Sequence, residues 1–316
     1  MDGWQGVIPA MITPLADGGR SVDTGSLKRY CEFLAGVKVH GVFCCGTTGE
    51  GPLLSAEERM RVAEVTVSSL KGRVRVVVQT GSITTDQTVF LTRHAREIGA
   101  DAAGLVLPYY YTLGDEALYA HFMEVADAVP GFPLFLYNIP GCTTNNISSS
   151  LLSRLLKRID SIVGIKNSTE DLCQTMMFVR IAGSRCAIFN GSDGLILPAL
   201  ATGARGLVSG NASAFPELFL SLFHAFQSAD LDRARELQQR VDQLRQVLAN
   251  GRDNASFKKA LGFRGVQAGS VRRPDLDLSP SQSPGWNLKA KKRWVRKYLG
   301  ARRLLLREPK PRAKGE

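Results

Sequence analysis

Ser161-Ile-Val-Gly-Ile-Lys-Asn-Ser-Thr169 places an ammonium group at the end of a short apolar run. The run reads as a buried strand, and a cation at its end is costly. Desolvation disfavours the charged form of lysine, so Lys166 is expected to shed its proton and act as an amine nucleophile able to form a Schiff base with a carbonyl substrate. The competing reading is a lysine that snorkels from the strand end into water. The rest of the chain bears on the choice.

Seven more short runs rich in Val, Ile, Leu and Phe accompany it, at residues 6–13, 41–45, 74–79, 103–107, 133–137, 186–189 and 206–209, making eight with 162–166. Amphipathic stretches separate them, and Ser55 followed three residues later by Glu58 is a capping-box start for one. Continuous apolar strands alternating with helices call for a parallel sheet covered on both faces. Eight such units close into an α/β fold of the (β/α)8 TIM-barrel kind. A doubly wound sheet is the second choice, but it wants a glycine fingerprint straight after the first strand. Here that strand runs into Thr13-Pro-Leu-Ala-Asp-Gly18. The glycine cluster Gly46-Thr-Thr-Gly-Glu-Gly51 follows the second strand and has neither G-x-G-x-x-G order nor the G-K-[ST] of a phosphate loop.

Beyond Pro216 the chain turns helical, with apolar residues at helical spacing over 231–248 and a further short helix over 256–261. The expected organisation is a catalytic barrel over 1–228, a C-terminal helical extension over 229–280 and a basic, poorly ordered tail over 281–316. The net charge of +11 is concentrated in that tail: twelve Lys and Arg against two Glu follow Trp286, leaving 28 basic and 27 acidic residues in 1–285. Such a run reads as a solvated segment. It carries no recognisable nucleic-acid-binding fold, so nucleic acid is not expected as a partner.

With 44% hydrophobic and 22% charged residues the 316-residue chain has the composition of a globular protein. No apolar run approaches the roughly 18 residues that cross a membrane. The amino terminus lacks the positive segment and apolar block of a secretory signal, so a cytoplasmic location is expected. Six cysteines without C-x-x-C spacing and four scattered histidines indicate neither a disulfide framework nor a metal site. Cys44 and Cys45, inside an apolar run, read as small buried hydrophobes.

In a barrel of this kind function sits at the carboxyl ends of the strands. Thr47 and Thr48 follow the second strand there, Tyr109 and Tyr110 the fourth, Tyr137 ends the fifth and Lys166 the sixth, and Asp193 and Ser209 belong to the seventh and eighth. Each has a plain structural reading: Tyr137 as an amphipathic barrel residue, the threonines as turn residues. Their convergence favours function, because carbonyl chemistry at a lysine needs a hydroxyl relay for protons and small donors for a carboxylate.

Gly46-Thr-Thr-Gly-Glu50, Tyr137-Asn-Ile-Pro140 and Gly164-Ile-Lys166, in that order and spacing, closely resemble the dihydrodipicolinate synthase and N-acetylneuraminate lyase superfamily of pyruvate-dependent class I aldolases, over about residues 5–275. The resemblance implies that Lys166 forms an imine with the keto carbon of pyruvate or another 2-oxo acid. It implies that Thr47 and Thr48 hold the pyruvate carboxylate and that Tyr137 shuttles the proton. Tyr110 then reaches into a neighbouring subunit's site to join Tyr137 and Thr47 in a relay, while Gly191 and Val208 line the lysine. It further implies a homotetramer of tight dimers and no cofactor or metal.

Two departures narrow the substrate. Dihydrodipicolinate synthases carry an arginine two residues after the proline of the tyrosine motif, where Pro140-Gly-Cys142 has a thiol, removing a fixed bidentate cation. Sialic acid lyases have Ser-Thr in place of Thr47-Thr48 and a glutamate in place of Gly194. The expectation is a Schiff-base lyase or aldolase acting on another 2-oxo acid, such as a 2-keto-3-deoxy sugar acid; Gly51-Pro52 is similar to archaeal keto-deoxygluconate aldolases. A dihydrodipicolinate synthase with altered aldehyde recognition is the alternative. A catalytically silent barrel scaffold with a polyanion-binding tail is the alternative from another class.

Overall fold

The computed structural model describes residues 3–248 and 253–278. The expected basic tail lies outside the described residues, as do residues 279 and 280 of the helical extension. Eight strands form one sheet: β1 Gly6–Pro9, β2 Gly41–Cys44, β3 Arg75–Gln79, β4 Ala102–Val106, β5 Leu134–Asn138, β6 Ile162–Asn167, β7 Ala187–Asn190 and β8 Gly206–Ser209. Neighbours pair in parallel from β2 through to β8, and β8 pairs with β1. The remaining seam is closed by the parallel bridge Ala10 to Phe43, with Met11 N–H donating to the Phe43 carbonyl at 2.9 Å and His40 N–H to that of Val7 at 3.1 Å. The barrel is complete.

All eight expected strands are present, with ends that agree to within one residue except in the first. Its apolar run continues to Thr13, but the paired strand stops at Pro9. At that level the chain changes partners, since Ala10 N–H donates to Ser209 while Met11 turns to Phe43. The apolar pattern cannot register a change of neighbour. A two-stranded ribbon follows, Leu15–Ala16 against Ser21–Val22, which periodicity over so few residues does not signal.

Each strand leads to a helix: α1 Thr24–Val37, α2 Ala56–Leu70, α3 Thr85–Glu97, α4 Asp115–Ala128, α5 Ser149–Arg158, α6 Leu172–Ala182, α7 Ile196–Ala201 and α8 Pro216–Gln227. The capping box read from Ser55 and Glu58 is formed reciprocally, the Glu58 N–H donating to Ser55 Oγ at 3.2 Å and the Ser55 N–H to Glu58 Oε2 at 3.0 Å. Two more helices follow, α9 Leu231–Val247 and α10 Asn254–Gly262. In α9 the residues at helical spacing, Ala234, Leu237, Val241 and Leu244, are buried, together with Gln238. No helix among the described residues is long and apolar enough to cross a membrane.

Two apolar layers share these strands, because successive side chains point to opposite faces. Val42, Cys44, Val76, Val78, Leu136 and Ile165 face the helices. Ile8, Phe43, Val77, Phe135, Tyr137, Phe189 and Val208 fill the barrel interior. Gly164 lies two residues before Lys166, and a Cβ there would come within 2.6 Å of the Phe135 ring. The glycine therefore lets the strand pass a phenylalanine that plugs the barrel. Lys166, on the same face one step further along, emerges above that plug.

Candidate active site

Register brings the first two residues of the site together. Tyr137 on β5 is directly opposite Lys166 on β6, which in turn faces Phe189 on β7. Lys166 is 4% exposed, with its Nζ 3.8 Å from the Tyr137 ring centroid and 4.5 Å from that of Phe43. The snorkelling alternative is thereby excluded. Electron-rich ring faces at these distances stabilise a positively charged nitrogen, including an iminium nitrogen built on the lysine. The Tyr137 hydroxyl in turn shares a hydrogen bond of 3.3 Å with Thr47 Oγ1, contributed by the loop after β2.

These side chains open into a cavity of about 740 Å³ at the carboxyl ends of the strands. Thr48, Gly191, Val208 and Asp193 line it with them. Of the residues singled out from the sequence, Lys166, Tyr137, Thr47, Thr48, Gly191 and Val208 thus share one cavity. Ser209 backs it: its Oγ donates to Asp193 Oδ2 at 2.8 Å, and Asn211 Nδ2 donates to the same oxygen at 2.6 Å. Burial pushes the Asp193 carboxyl above the usual carboxylate range, against the pull of the Asn211 and Ser209 hydrogen bonds and of the nearby Arg245. Among the described residues no group of three or more His, Cys, Asp or Glu is gathered to hold a metal ion.

Tyr110 is not part of its own chain's cavity. It is 80% exposed, edge-to-face with Tyr111, and held at a backbone φ of +84° that aromatic residues rarely adopt. Strain of that kind costs roughly 1–3 kcal/mol and persists where the surroundings enforce it, often at working sites.

Sequence reasoning missed a buried amide cluster behind the two central residues. Asn138 Nδ2 donates to Asn146 Oδ1 at 2.8 Å, Asn167 Oδ1 at 2.9 Å and Gln174 Oε1 at 3.1 Å, and Asn138 Oδ1 accepts the Ile147 N–H at 3.0 Å. Asn167 Nδ2 continues the chain of bonds to Thr175 Oγ1 at 3.1 Å. Asn138 and Asn167 are the outward neighbours of Tyr137 and Lys166, so the cluster fixes both strand ends from behind. A signal was available: β5, β6 and β7 all end in asparagine, as Tyr137-Asn138, Lys166-Asn167 and Phe189-Asn190.

A second feature joins the helical extension to the threonine loop. Lys258 Nζ on α10 lies 2.6 Å from Glu50 Oε1, at side-chain exposures of 2% and 0%, and donates to the Ser270 carbonyl at 2.6 Å. Arg272 N–H donates to the other Glu50 oxygen at 2.6 Å, and the Glu50 N–H returns to the Thr47 carbonyl at 3.1 Å. Burial pulls the Lys258 ammonium below the ordinary lysine range, opposed by the attraction of Glu50. Lys258→Met strands a fully buried carboxylate, and is expected to cost about 3 kcal/mol of stability, read as a lowered urea midpoint. An unchanged midpoint would show that water replaces the ammonium.

The geometry has close counterparts. A match to the dihydrodipicolinate synthetase family spans residues 3–291. The 4-hydroxy-tetrahydrodipicolinate synthase of Thermodesulfovibrio yellowstonii is 35% identical over 276 residues, 87% of this chain and 94% of that protein. An uncharacterized DapA-like lyase of Halobacterium salinarum is 38% identical over 272 residues, 86% of this chain and 88% of its own. Among solved structures, the dihydrodipicolinate synthase of Aquifex aeolicus matches with a TM-score of 0.85 at 33% identity, covering 96% of this chain and 100% of that one. The sialic acid aldolase of Ruminococcus gnavus matches with a TM-score of 0.89 at 25% identity, covering 96% and 99%. With the three motifs on the strand ends of one barrel and a match that runs from one end of that barrel to the other, this chain belongs to the dihydrodipicolinate synthetase family.

Proposed function

We infer that the protein is a class I aldolase or lyase that joins pyruvate to, or releases it from, a longer 2-oxo acid. The observation that carries this reading is the Lys166 amine, buried against Tyr137, whose hydroxyl reaches Thr47 in the same cavity. The free amine attacks the keto carbon of pyruvate, and loss of water leaves an iminium. Tyr137, with Thr47, accepts and returns the protons of that exchange. The iminium draws electrons from the adjacent methyl carbon, so loss of a proton there gives an enamine. Its carbon attacks an aldehyde, the new oxygen takes up a proton, and water frees the product from the lysine. Cleavage runs the same steps backwards.

Thr47 and Thr48 offer hydroxyl and backbone donors to the pyruvate carboxylate, and Gly191 and Val208 form the walls beside the lysine. Tyr110 completes the proton relay of a neighbouring subunit in a tight dimer, two of which make a homotetramer; its exposure and strained backbone support that role. A cytoplasmic enzyme with no organic cofactor is part of the same reading. The 2-oxo acid is of the 2-keto-3-deoxy sugar acid class. The names of several relatives, 4-hydroxy-tetrahydrodipicolinate synthases, support a second reading in which pyruvate meets an amino-acid semialdehyde. A silent scaffold has no use for an amine, a phenol and two threonines converging on one cavity.

Incubation with pyruvate and borohydride, followed by peptide mass analysis, is expected to find a reduced adduct on Lys166. An unmodified Lys166 peptide, under conditions that label a sialic acid aldolase, would overturn the assignment. A panel of 2-oxo acids screened for pyruvate release then distinguishes the two substrate readings.

A further inference from the structure

The cavity around Lys166 contains a second cation. Among the described residues that line it, Arg245 alone joins Lys166 in carrying positive charge. It comes from the last turn of α9, in the helical extension. A Cβ at Gly194 would lie 3.0 Å from its Cζ, so the missing side chain beside Asp193 is what lets the guanidinium rest against the cavity wall.

That guanidinium is loosely engaged. Its side chain is 23% exposed, and its ion pairs are long: Nη1 donates to Asp242 Oδ1 at 3.5 Å and Nη2 lies 3.8 Å from Glu170 Oε1, both on exposed side chains. Pairs of this length and exposure contribute little. The third acid nearby, Asp193, is already bonded by Ser209 and Asn211. Arg245 therefore keeps a planar fork of donors beside a cavity whose wall includes the neutral Ser168, Thr169, Ser192 and Asn254 along with the two acids just named, Glu170 and Asp193.

We propose that Arg245 is the specificity-determining residue for the second substrate, binding a compact oxyanion, carboxylate or phosphate, carried by the aldehyde that the pyruvate enamine attacks. The proposal rests on the aldolase reading above. In that reading the pyruvate carboxylate is held by the threonine loop after β2, whereas Arg245 enters from α9 against the loop after β7. An anion brought into this cavity meets a partly desolvated cation ready to pair. An uncharged aldehyde gains nothing from it.

The test compares the full-length protein with Arg245→Leu and Arg245→Lys, using pyruvate and three aldehydes: 4-oxobutanoate, glyceraldehyde 3-phosphate and uncharged glyceraldehyde. For the wild type, kcat/KM with one of the charged aldehydes is expected to exceed that with glyceraldehyde by about tenfold or more. Arg245→Leu should lower that value about 10- to 100-fold, mostly through KM, as loss of a charge-assisted hydrogen bond does. Glyceraldehyde should change by less than about twofold, and Arg245→Lys should lie between, since the charge stays and the fork is lost. The charged aldehyde that suffers tells carboxylate from phosphate. Borohydride labelling of Lys166 by pyruvate, measured on the same three proteins, separates the possible failures. Labelling retained with no charge preference in the wild type, or with equal losses on all three aldehydes, overturns the role of Arg245 and leaves the aldolase reading standing. Absence of labelling in the wild type overturns both.

Discussion

Lys166→Ala is expected to lower turnover by about 10⁴-fold or more, in the range that removal of a covalent nucleophile costs other enzymes, and to abolish the borohydride-trapped adduct. The size follows from the position. The enamine exists only while the substrate is attached to the amine, and no other lysine lines the cavity among the described residues. Arginine at 166 is expected to be equally inactive, since it restores the charge over the Tyr137 and Phe43 rings without a nucleophilic nitrogen. Circular dichroism and the thermal midpoint should show the barrel intact in at least one of the two variants. A variant that keeps its fold, lacks Lys166 and still releases pyruvate at a tenth of the original rate would end the Schiff-base account.

Tyr137→Phe should slow turnover by roughly 10²–10⁴-fold, the usual contribution of a positioned acid–base group. The change deletes one oxygen and keeps the ring, which is buried in the barrel interior and set edge-to-face with Phe43 at 5.5 Å. Packing is conserved, so the effect should fall on kcat while the thermal midpoint stays near its original value. Thr47→Val probes the other end of the same 3.3 Å hydrogen bond. If the two hydroxyls work as one relay, the double variant should be little worse than Tyr137→Phe alone. Independent, multiplying losses would assign the two oxygens to separate steps.

Most of the barrel was legible because its signal is local. A strand buried on both faces must be apolar along its whole length, so eight runs of Val, Ile, Leu and Phe announced eight strands without knowledge of their partners. Helix starts were equally local, as the Ser55 and Glu58 capping box illustrates. The end of β1 was misplaced because Ala10 and Met11 divide their hydrogen bonds between two different strands. That division exists only once the cylinder closes.

The site was legible in part. Lys166 stood out as a charge at the end of an apolar run, and the three motifs tied Tyr137, Thr47 and Thr48 to it. The asparagines behind them went unread, although they repeat at three consecutive strand ends, because an isolated Asn after a strand is an ordinary turn residue. Glu50 gave no sign of its partners, since the Arg272 N–H that it accepts is 222 positions away. Arg245 lies within the amphipathic run over 231–248, where a charged residue is ordinary and marks no site.

Residue order alone determined that this chain makes alternating strands and helices, that one lysine lies near the end of the sixth strand, and that hydroxyl-bearing residues lie at or just after the ends of the second, fourth, fifth and eighth. Periodicity and capping depend on neighbours a few positions apart, so they survive in a linear text. Which of those side chains meet was decided by barrel closure and sheet register. These set Tyr137 opposite Lys166, bring the loop after β2 to Tyr137, and fold the helical extension back until Lys258 reaches Glu50 and Arg245 reaches the cavity. Contacts between residues far apart in sequence come from packing the whole apolar core, and no short stretch of the chain contains them.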